Sequence, residues 1–549
     1  AFQWNADGNV QIQWDGSHAG FLHQVAVALA DQIVVCRRQH RLAFLAFEIG
    51  GYGNNVPRDP AKGAACVASE AGREFVAKAQ SHTPDIKARP DIGRGGRYGY
   101  GYLHRSHFKE KTRFQTKSDS ATDNMLVPVR ELEEAVRLAG FWNYQLYEKQ
   151  LRRKELYIAR GVPEALRNVF KNEVSLRLHK KETTFSESHL QLHPPFTALP
   201  RLLSRASALA SWASSPEYLF PPAGTLIPQS DSWHDAKVNE DLPALLNETM
   251  SRAAQKLRNS SLASWEIFAE TTQNSVHNQS GFWATWQESR LHIDYILLSK
   301  NGTPETGEYR TFRYVDDVDL EAMLQREEQY LSDMGNAELP KTGTYPVLFS
   351  EEGRAALFDH YMLHLSGQAL FHGFSAYRRG ESIYSDRKGE SFSLASNPFV
   401  PGGEESGPVD SYAFPLARTE LIEKGVVKDF LIDGRYAHIL SLPRTSASSN
   451  VEVTAGHDSL ASLRSPGVLE LVRFSAFSPN DFTGSFSAEI RLGYLHTKDG
   501  KIPVRGGSVS GNVRDAFSAA RFSREQERTG RYSGPAGILF DTLTIAGEP

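Results

Sequence analysis

Cysteine is nearly absent: Cys36 and Cys66 are the only two in 549 residues. A disulfide framework is therefore excluded, at most one bridge can form, and no C-x-x-C spacing offers a thiolate zinc or redox centre. Long apolar runs are missing too. No stretch approaches the ~20 residues that a membrane-spanning helix needs, so no membrane partner is expected. Nor is there an excess of one charge: 61 basic against 65 acidic side chains leave a formal net charge of -4. That balance provides no electrostatic footprint for direct, sequence-independent nucleic-acid binding. Fixed-period repeats and heptad arrays are lacking as well. The chain begins with Ala1 and contains no recognisable export signal, so a cytoplasmic location is expected, with export to the periplasm left open.

What is present is a globular composition, 40% hydrophobic and 11% aromatic, in a chain longer than one core usually supports, so two or three domains are expected. Alternation from Phe2 to Trp14 around Asp7-Gly8 predicts an opening hairpin. Residues 21–30 read as helix or strand and residues 41–49 as a buried strand. Residues 57–124 shift to Gly, Arg, Lys, Ser and Asp and read as a loop-rich insertion. Within it, residues 91–102 mix Arg, Gly and Tyr as single-strand nucleic-acid segments do, but a solvated loop explains them as well. Residues 128–160 predict one long helix, with Pro at its first turn, Glu131, Glu133 and Glu134 early, and Arg152, Arg153 and Lys154 late. Residues 174–178 alternate as a strand. His189 and His193 lie in an extended segment ending at Pro194-Pro195, where their spacing does not bring the rings together.

Helices are expected at 199–212, 242–258 and 318–331. Between them lies an antiparallel meander of strands at 264–272, 281–288, 291–299 and 309–314, with turns at 278–281 and at Asn301-Gly302. Residues 339–343 read as a linker. Beyond a short strand at 346–350, the remainder from Gly389 onward is β-rich and punctuated by Gly and Pro, as in a barrel or sandwich.

Between those two regions, residues 351–380 predict a helix with an apolar stripe of Leu357, Met362, Leu365 and Ala369. His360 and His364 sit at i and i+4 on a face of their own. Such a pair is either two hydrogen-bonded histidines of a partly buried helix or the core of a metal site. Asp359 precedes the pair, and no glutamate lies between the histidines to activate a metal-bound water.

Four stretches carry a family resemblance: YPVLFSEEGRAALFDHYMLHLSGQALFHGFS at 345–375, RTELIEKGVVKDFLIDGRYAHIL at 418–440, GYLHTKDGKIPVRGGSVSGNVRDAF at 493–517 and ILFDTLTIAG at 538–547. In order and separation they resemble the TldD/PmbA family, metallopeptidase-related proteins also called modulators of DNA gyrase, in which PmbA is also TldE. The turn at 278–281 resembles the family's Asn-Ser-x-Gly hairpin. The resemblance implies an α+β protein: an N-terminal α/β domain over residues 1–340, with an antiparallel meander and long helices, and a C-terminal β-barrel-like domain over 345–549. It also implies dimers around an enclosed cavity, built with a TldD-type subunit or with a second copy, and unfolded peptide as substrate.

In the TldD branch, zinc is held by HExxxH and a cysteine near the C-terminus. Laid on that motif, Asp359 takes the first His, His360 takes the Glu, and only His364 matches. No cysteine follows Cys66. The resemblance thus implies a PmbA/TldE-like subunit with an incomplete zinc site, no cofactor of its own, and zinc held by the partner. Two alternatives stand beside it. One is an active metal-dependent peptidase using Asp359, His360 and His364, completed by His372, His438, His457 or His496, in which Asp359 and His360 are the candidate catalytic groups. The other is a non-enzymatic modulator of a nucleic-acid enzyme.

Overall fold

The structure is a computed structural model that describes residues 2–4, 10–12 and 126–549, apart from 183, 303 and 455. The expectations for residues 21–30, 41–49 and 57–124 lie outside the described residues, as do both cysteines. Strands β1 (Phe2–Trp4) and β2 (Val10–Ile12) pair antiparallel, as the alternation around Asp7-Gly8 predicts.

From residue 126 onward the chain builds a six-stranded antiparallel sheet in the order β5-β4-β3-β6-β7-β8. Its strands are β3 (Asn143–Ala159), β4 (Val162–Lys181), β5 (Phe185–Leu192), β6 (Ser260–Asn278), β7 (Trp283–Ser299) and β8 (Glu305–Phe312). The meander is thus present, but the two strands expected at 281–288 and 291–299 are one, because β7 stays paired with β6 through Ser289 and Arg290; β6 and β7 reach 19 and 17 residues. One face is apolar. At one end Leu146, Leu176 and Leu178 pack under the helices Val129–Leu138 and Leu199–Ala210. At the other end Ile267, Ile293 and Leu297 pack under Leu242–Ala254 and Leu320–Gly335. The opposite face is mixed, because side chains alternate along each strand; it sets Arg153, Glu270 and Arg290 in register across β3, β6 and β7 and carries Val276 and Trp286 at one end.

One expectation is corrected here. The helix over 128–160 ends at Leu138, and Asn143–Ala159 is strand. Gly140 stands at φ +81° and its N–H bonds the Arg137 carbonyl, while the Phe141 N–H bonds the Val136 carbonyl. That pair of bonds is the Schellman stop, which takes glycine at the left-handed position. Beyond it, Tyr144 and Leu146 alternate into the core, and the late basic residues are strand residues with no helix terminus to serve.

The C-terminal part centres on a closed barrel of five strands, β9 (Gly343–Phe349), β14 (Leu469–Phe474), β15 (Ser485–Thr497), β17 (Ser508–Asn512) and β21 (Ile538–Ala546). The ring closes because β14 pairs with β9 on one side and with β15 on the other, which leaves no free edge in the ring. Strands β16 (Gly500–Val504) and β18 (Ala520–Phe522) extend it. A second sheet runs β12-β11-β10-β13-β20-β19, from β10 (Ser393–Asn397), β11 (Thr419–Glu423), β12 (Val426–Val427), β13 (Asn450–Thr454), β19 (Gln526–Thr529) and β20 (Tyr532–Pro535). Between barrel and second sheet lies one apolar core that includes Phe349, Phe358, Tyr361, Phe392, Phe517 and Phe540.

The two parts share buried contacts. Arg313, 1% exposed, donates to the carbonyls of Glu404 and Ser406. Arg473 of β14 pairs with Glu327 of the 320–335 helix and with Glu351. Tyr330 and Met334 pack on Val472, Leu492 and Tyr494.

Candidate functional site

Strand β9 feeds a single 3-10 turn at Ala356–Phe358 and then two short helices, Asp359–His364 and Gly367–His372. The one helix expected over 351–380 is therefore broken. The break lies at Ser366, whose hydroxyl donates to the Leu363 carbonyl and accepts from the Ala369 N–H, capping the second helix. Gly367 follows because the Tyr436 side chain is pressed against it: a Cβ there would lie 2.6 Å from the Tyr436 Cβ.

His360 and His364 do come together, with ring centroids 4.4 Å apart, and they are 1% and 4% exposed. Their partners determine where the protons sit. A backbone N–H can only donate, so the Ala376 N–H at 3.0 Å makes His364 Nδ1 an acceptor; its Nε2–H then donates to the Phe482 carbonyl at 2.9 Å. A carbonyl can only accept, so His360 carries its proton on Nδ1, donating to the Asp481 carbonyl at 2.7 Å. Its Nε2 accepts from the Tyr377 hydroxyl at 3.0 Å. Burial lowers His360 to about 4, with His364 and Arg514 pushing the same way against the Asp481 carbonyl, and burial raises Tyr377 to about 12. In this arrangement each imidazole carries a single ring proton, and every ring nitrogen is engaged within the protein.

Asp359 leaves the histidines and pairs with Arg531. Glu405 and Asp481 lie in the same field. Burial raises both, and Arg531 offsets part of that rise. Arg531 itself stays above its ordinary value, against burial, through Asp359, Glu405 and Asp481. The result is one guanidinium facing three carboxyl groups beside a neutral histidine pair. Next to them Arg514 lies over the Tyr377 ring at 5.8 Å and lines a polar cleft of about 320 Å³ with Thr483, Asn512, Asp515 and Ser518.

Zinc would need deprotonated carboxylate or free imidazole nitrogens converging on one point. Asp359, His360 and His364 as arranged do not meet that requirement, since each faces a different protein partner. Among the described residues no group of three or more His, Cys, Asp and Glu side chains is placed to hold a metal. His496, one of the proposed completing ligands, is bound to Glu470 at 2.8 Å, and His372 is exposed and stacked on Phe374. Tyr377, Arg514, Arg531, Glu405 and the 481–482 carbonyls were not anticipated. Arg514 lies inside one of the stretches that carry the family resemblance and Tyr377 two residues beyond the end of another, which is the signal that points to them.

Residues 342–547 match the PmbA/TldA metallopeptidase C-terminal domain. An uncharacterized protein of Methanocaldococcus jannaschii is 24% identical over 226 residues, which cover 37% of this chain and 53% of that protein. The chain thus matches about half the length of this curated relative. TldE from Thermococcus kodakarensis superimposes with a TM-score of 0.62 at 19% identity over 76% of this chain and all of the other. A candidate modulator of a DNA gyrase from Thermotoga maritima gives a TM-score of 0.64 at 17% identity, again over 76% of this chain and 100% of the other. At these identities the solved structures establish the fold.

Proposed function

The chain carries the C-terminal domain of the TldD/PmbA family, and from that premise we propose that it is a PmbA/TldE-like subunit without a zinc site of its own. It works in a cytoplasmic peptide-degrading or peptide-maturing complex whose TldD-type partner supplies the metal. One observation carries this reading: the four ring nitrogens of His360 and His364 are all committed to protein partners, and Asp359 is committed to Arg531. A neutral, fully bonded pair has no lone pair for zinc and no poised base for water. The fold likeness to TldE supports the same assignment. Domains over 1–340 and 345–549 belong to this proposal, as does unfolded peptide as substrate, and direct contact with nucleic acid does not.

Elemental analysis and a peptide assay on the purified chain, alone and with a TldD-type subunit, provide the test. Alone, the chain should carry no stoichiometric zinc and leave an unfolded peptide intact, and hydrolysis should appear only with the partner. Stoichiometric zinc together with chelator-sensitive hydrolysis by the chain alone, both lost in His364→Ala, would overturn this reading in favour of an active metallopeptidase.

A further inference from the structure

The basic run Arg152-Arg153-Lys154 belongs to a concentration of charge that the proposed function does not use. From Asn143 to Lys181 the β3–β4 hairpin carries ten Lys and Arg against four Glu, in a chain whose net charge is -4. Strand alternation divides the run between two faces. Arg153 lies on the mixed face and pairs with Glu155 and Glu270. Arg152 and Lys154 share parity with Leu146 and Leu156, so they lie on the helix-bearing face, between the two apolar clusters to which those leucines belong. There they line a cleft of about 190 Å³, walled on one side by residues 238–240.

The ladder builds the floor of this cleft. Phe170, Arg152 and Thr271 lie abreast on β4, β3 and β6, and the next row on the same face is Asn168, Lys154 and Ala269. Among the described residues neither Arg152 nor Lys154 has an ion-pair partner, and Glu240 is the one carboxylate that lines the cleft. Same-face positions two apart on a strand are roughly 7 Å from each other, so a guanidinium and an ammonium can close on one anion from two sides. A carboxylate has two oxygens, for which the Arg152 fork alone suffices. Arg152, Lys154 and the Thr271 hydroxyl together match the three acceptor oxygens and the charge of about -2 of a phosphate monoester. Beside them Phe170 is 69% exposed, with the Arg152 guanidinium 5.9 Å from its ring centroid. A flat ring can stack there while its phosphate stays on the cations. Asn168, two residues from Phe170 on the same face, offers an amide to the edge of that ring, which favours a base over a plain phenyl group. The volume is below the ~300 Å³ of a pocket that encloses a whole drug-sized ligand, so one phosphate and one ring fit and a dinucleotide does not. We propose that this cleft binds a phosphate monoester bearing a flat polar ring, of the nucleoside monophosphate class. The inference is independent of the proposed function, which stands or falls on metal and hydrolysis.

Isothermal titration calorimetry of the whole chain at low ionic strength tests it, with adenosine 5′-monophosphate, adenosine, inorganic phosphate and O-phosphotyrosine as probes. The monophosphate should bind saturably, one per chain, and adenosine and inorganic phosphate should each bind at least about tenfold more weakly, since each makes only part of the contacts. Arg152→Gln and Lys154→Gln should each weaken the monophosphate about tenfold, the effect of losing a hydrogen bond to a charged group. Phe170→Ala should weaken the monophosphate and leave inorganic phosphate unchanged. Lys171→Gln, on the other face and paired with Glu173, should change nothing. These side chains are exposed or half-buried, so circular dichroism should be the same in every variant. Absence of saturable monophosphate binding overturns the inference. So does binding that Lys154→Gln leaves intact or that Lys171→Gln weakens equally, because diffuse charge would then explain it. Inorganic phosphate binding as tightly as the monophosphate would remove the ring from the assignment, and O-phosphotyrosine binding more tightly would replace the nucleotide with a phosphorylated side chain; either result overturns the proposal as stated.

Discussion

The proton positions at the histidine pair are fixed by donors and acceptors that cannot change roles, so the two rings should be opposite tautomers: Nδ1–H in His360 and Nε2–H in His364. Nitrogen-15 chemical shifts of the imidazoles distinguish the two forms, and equal tautomers would contradict the geometry. The same burial has a consequence for stability. A histidine whose folded value lies below its unfolded 6.5 favours the native state while neutral. The stability it contributes is therefore complete above about pH 6.5 and is lost as pH falls through the folded value of about 4. The full difference is worth about 3 kcal/mol. A melting temperature that stays flat between pH 6.5 and 4 would count against the buried neutral assignment. At this scale the sequence revealed the pair and its spacing but not its partners. The Asp481 and Phe482 carbonyls lie more than a hundred residues away along the chain, and no local pattern marks a carbonyl as a future acceptor.

Elements were legible where periodicity was unambiguous and misread where two periods overlap. The helices at 199–210, 242–254 and 320–335 and the meander strands follow their apolar stripes. In residues 128–160, Leu132, Val136, Ala139, Trp142, Leu146 and Leu151 fit one helical stripe across Gly140, and together with the charge placement they made the whole look continuous, although beyond the glycine Tyr144 and Leu146 follow strand alternation. The decisive signal was the glycine. The contact between the 320–335 helix and β14 was not legible at all, because it joins Glu327, wholly buried, to Arg473 across the linker. Arg473 is held in its charged form by Glu327, Glu351 and Glu352 against burial. Arg473→Ala leaves an uncompensated buried carboxylate on the helix, and its expected cost is about 3–5 kcal/mol, measurable by urea denaturation. A cost below about 1 kcal/mol, the range of exposed pairs, would mean that the cluster is solvated and the seam loose.

For the whole molecule, the meander and a β-rich C-terminal region, barrel or sandwich, were predictable in kind from strand density and turn residues, whereas the separate second sheet was not expected and ring closure through β14 depends on a pairing with β9 that no sequence pattern announces. The proposed boundary near residue 340 also has a physical limit. It is a boundary in the chain, yet the barrel's Val472, Leu492 and Tyr494 rest on Tyr330 and Met334 from the other side. Arg313 reaches across to the Glu404 and Ser406 carbonyls, and Trp233, Val276 and Trp286 share a cluster with Ala413. The linker itself is tied down, since the Thr342 N–H bonds the Glu548 carbonyl at 2.7 Å and the Glu548 N–H bonds the Pro340 carbonyl at 2.8 Å. Two units that bury charged and apolar groups against each other cannot unfold independently without exposing both faces. Differential scanning calorimetry should therefore show residues 126–549 melting in one transition, and Arg473→Ala should lower that transition as a whole. Two resolved transitions, only one of them moved by Arg473→Ala, would show that the seam contributes little and that the two parts are domains in the energetic sense as well as along the chain.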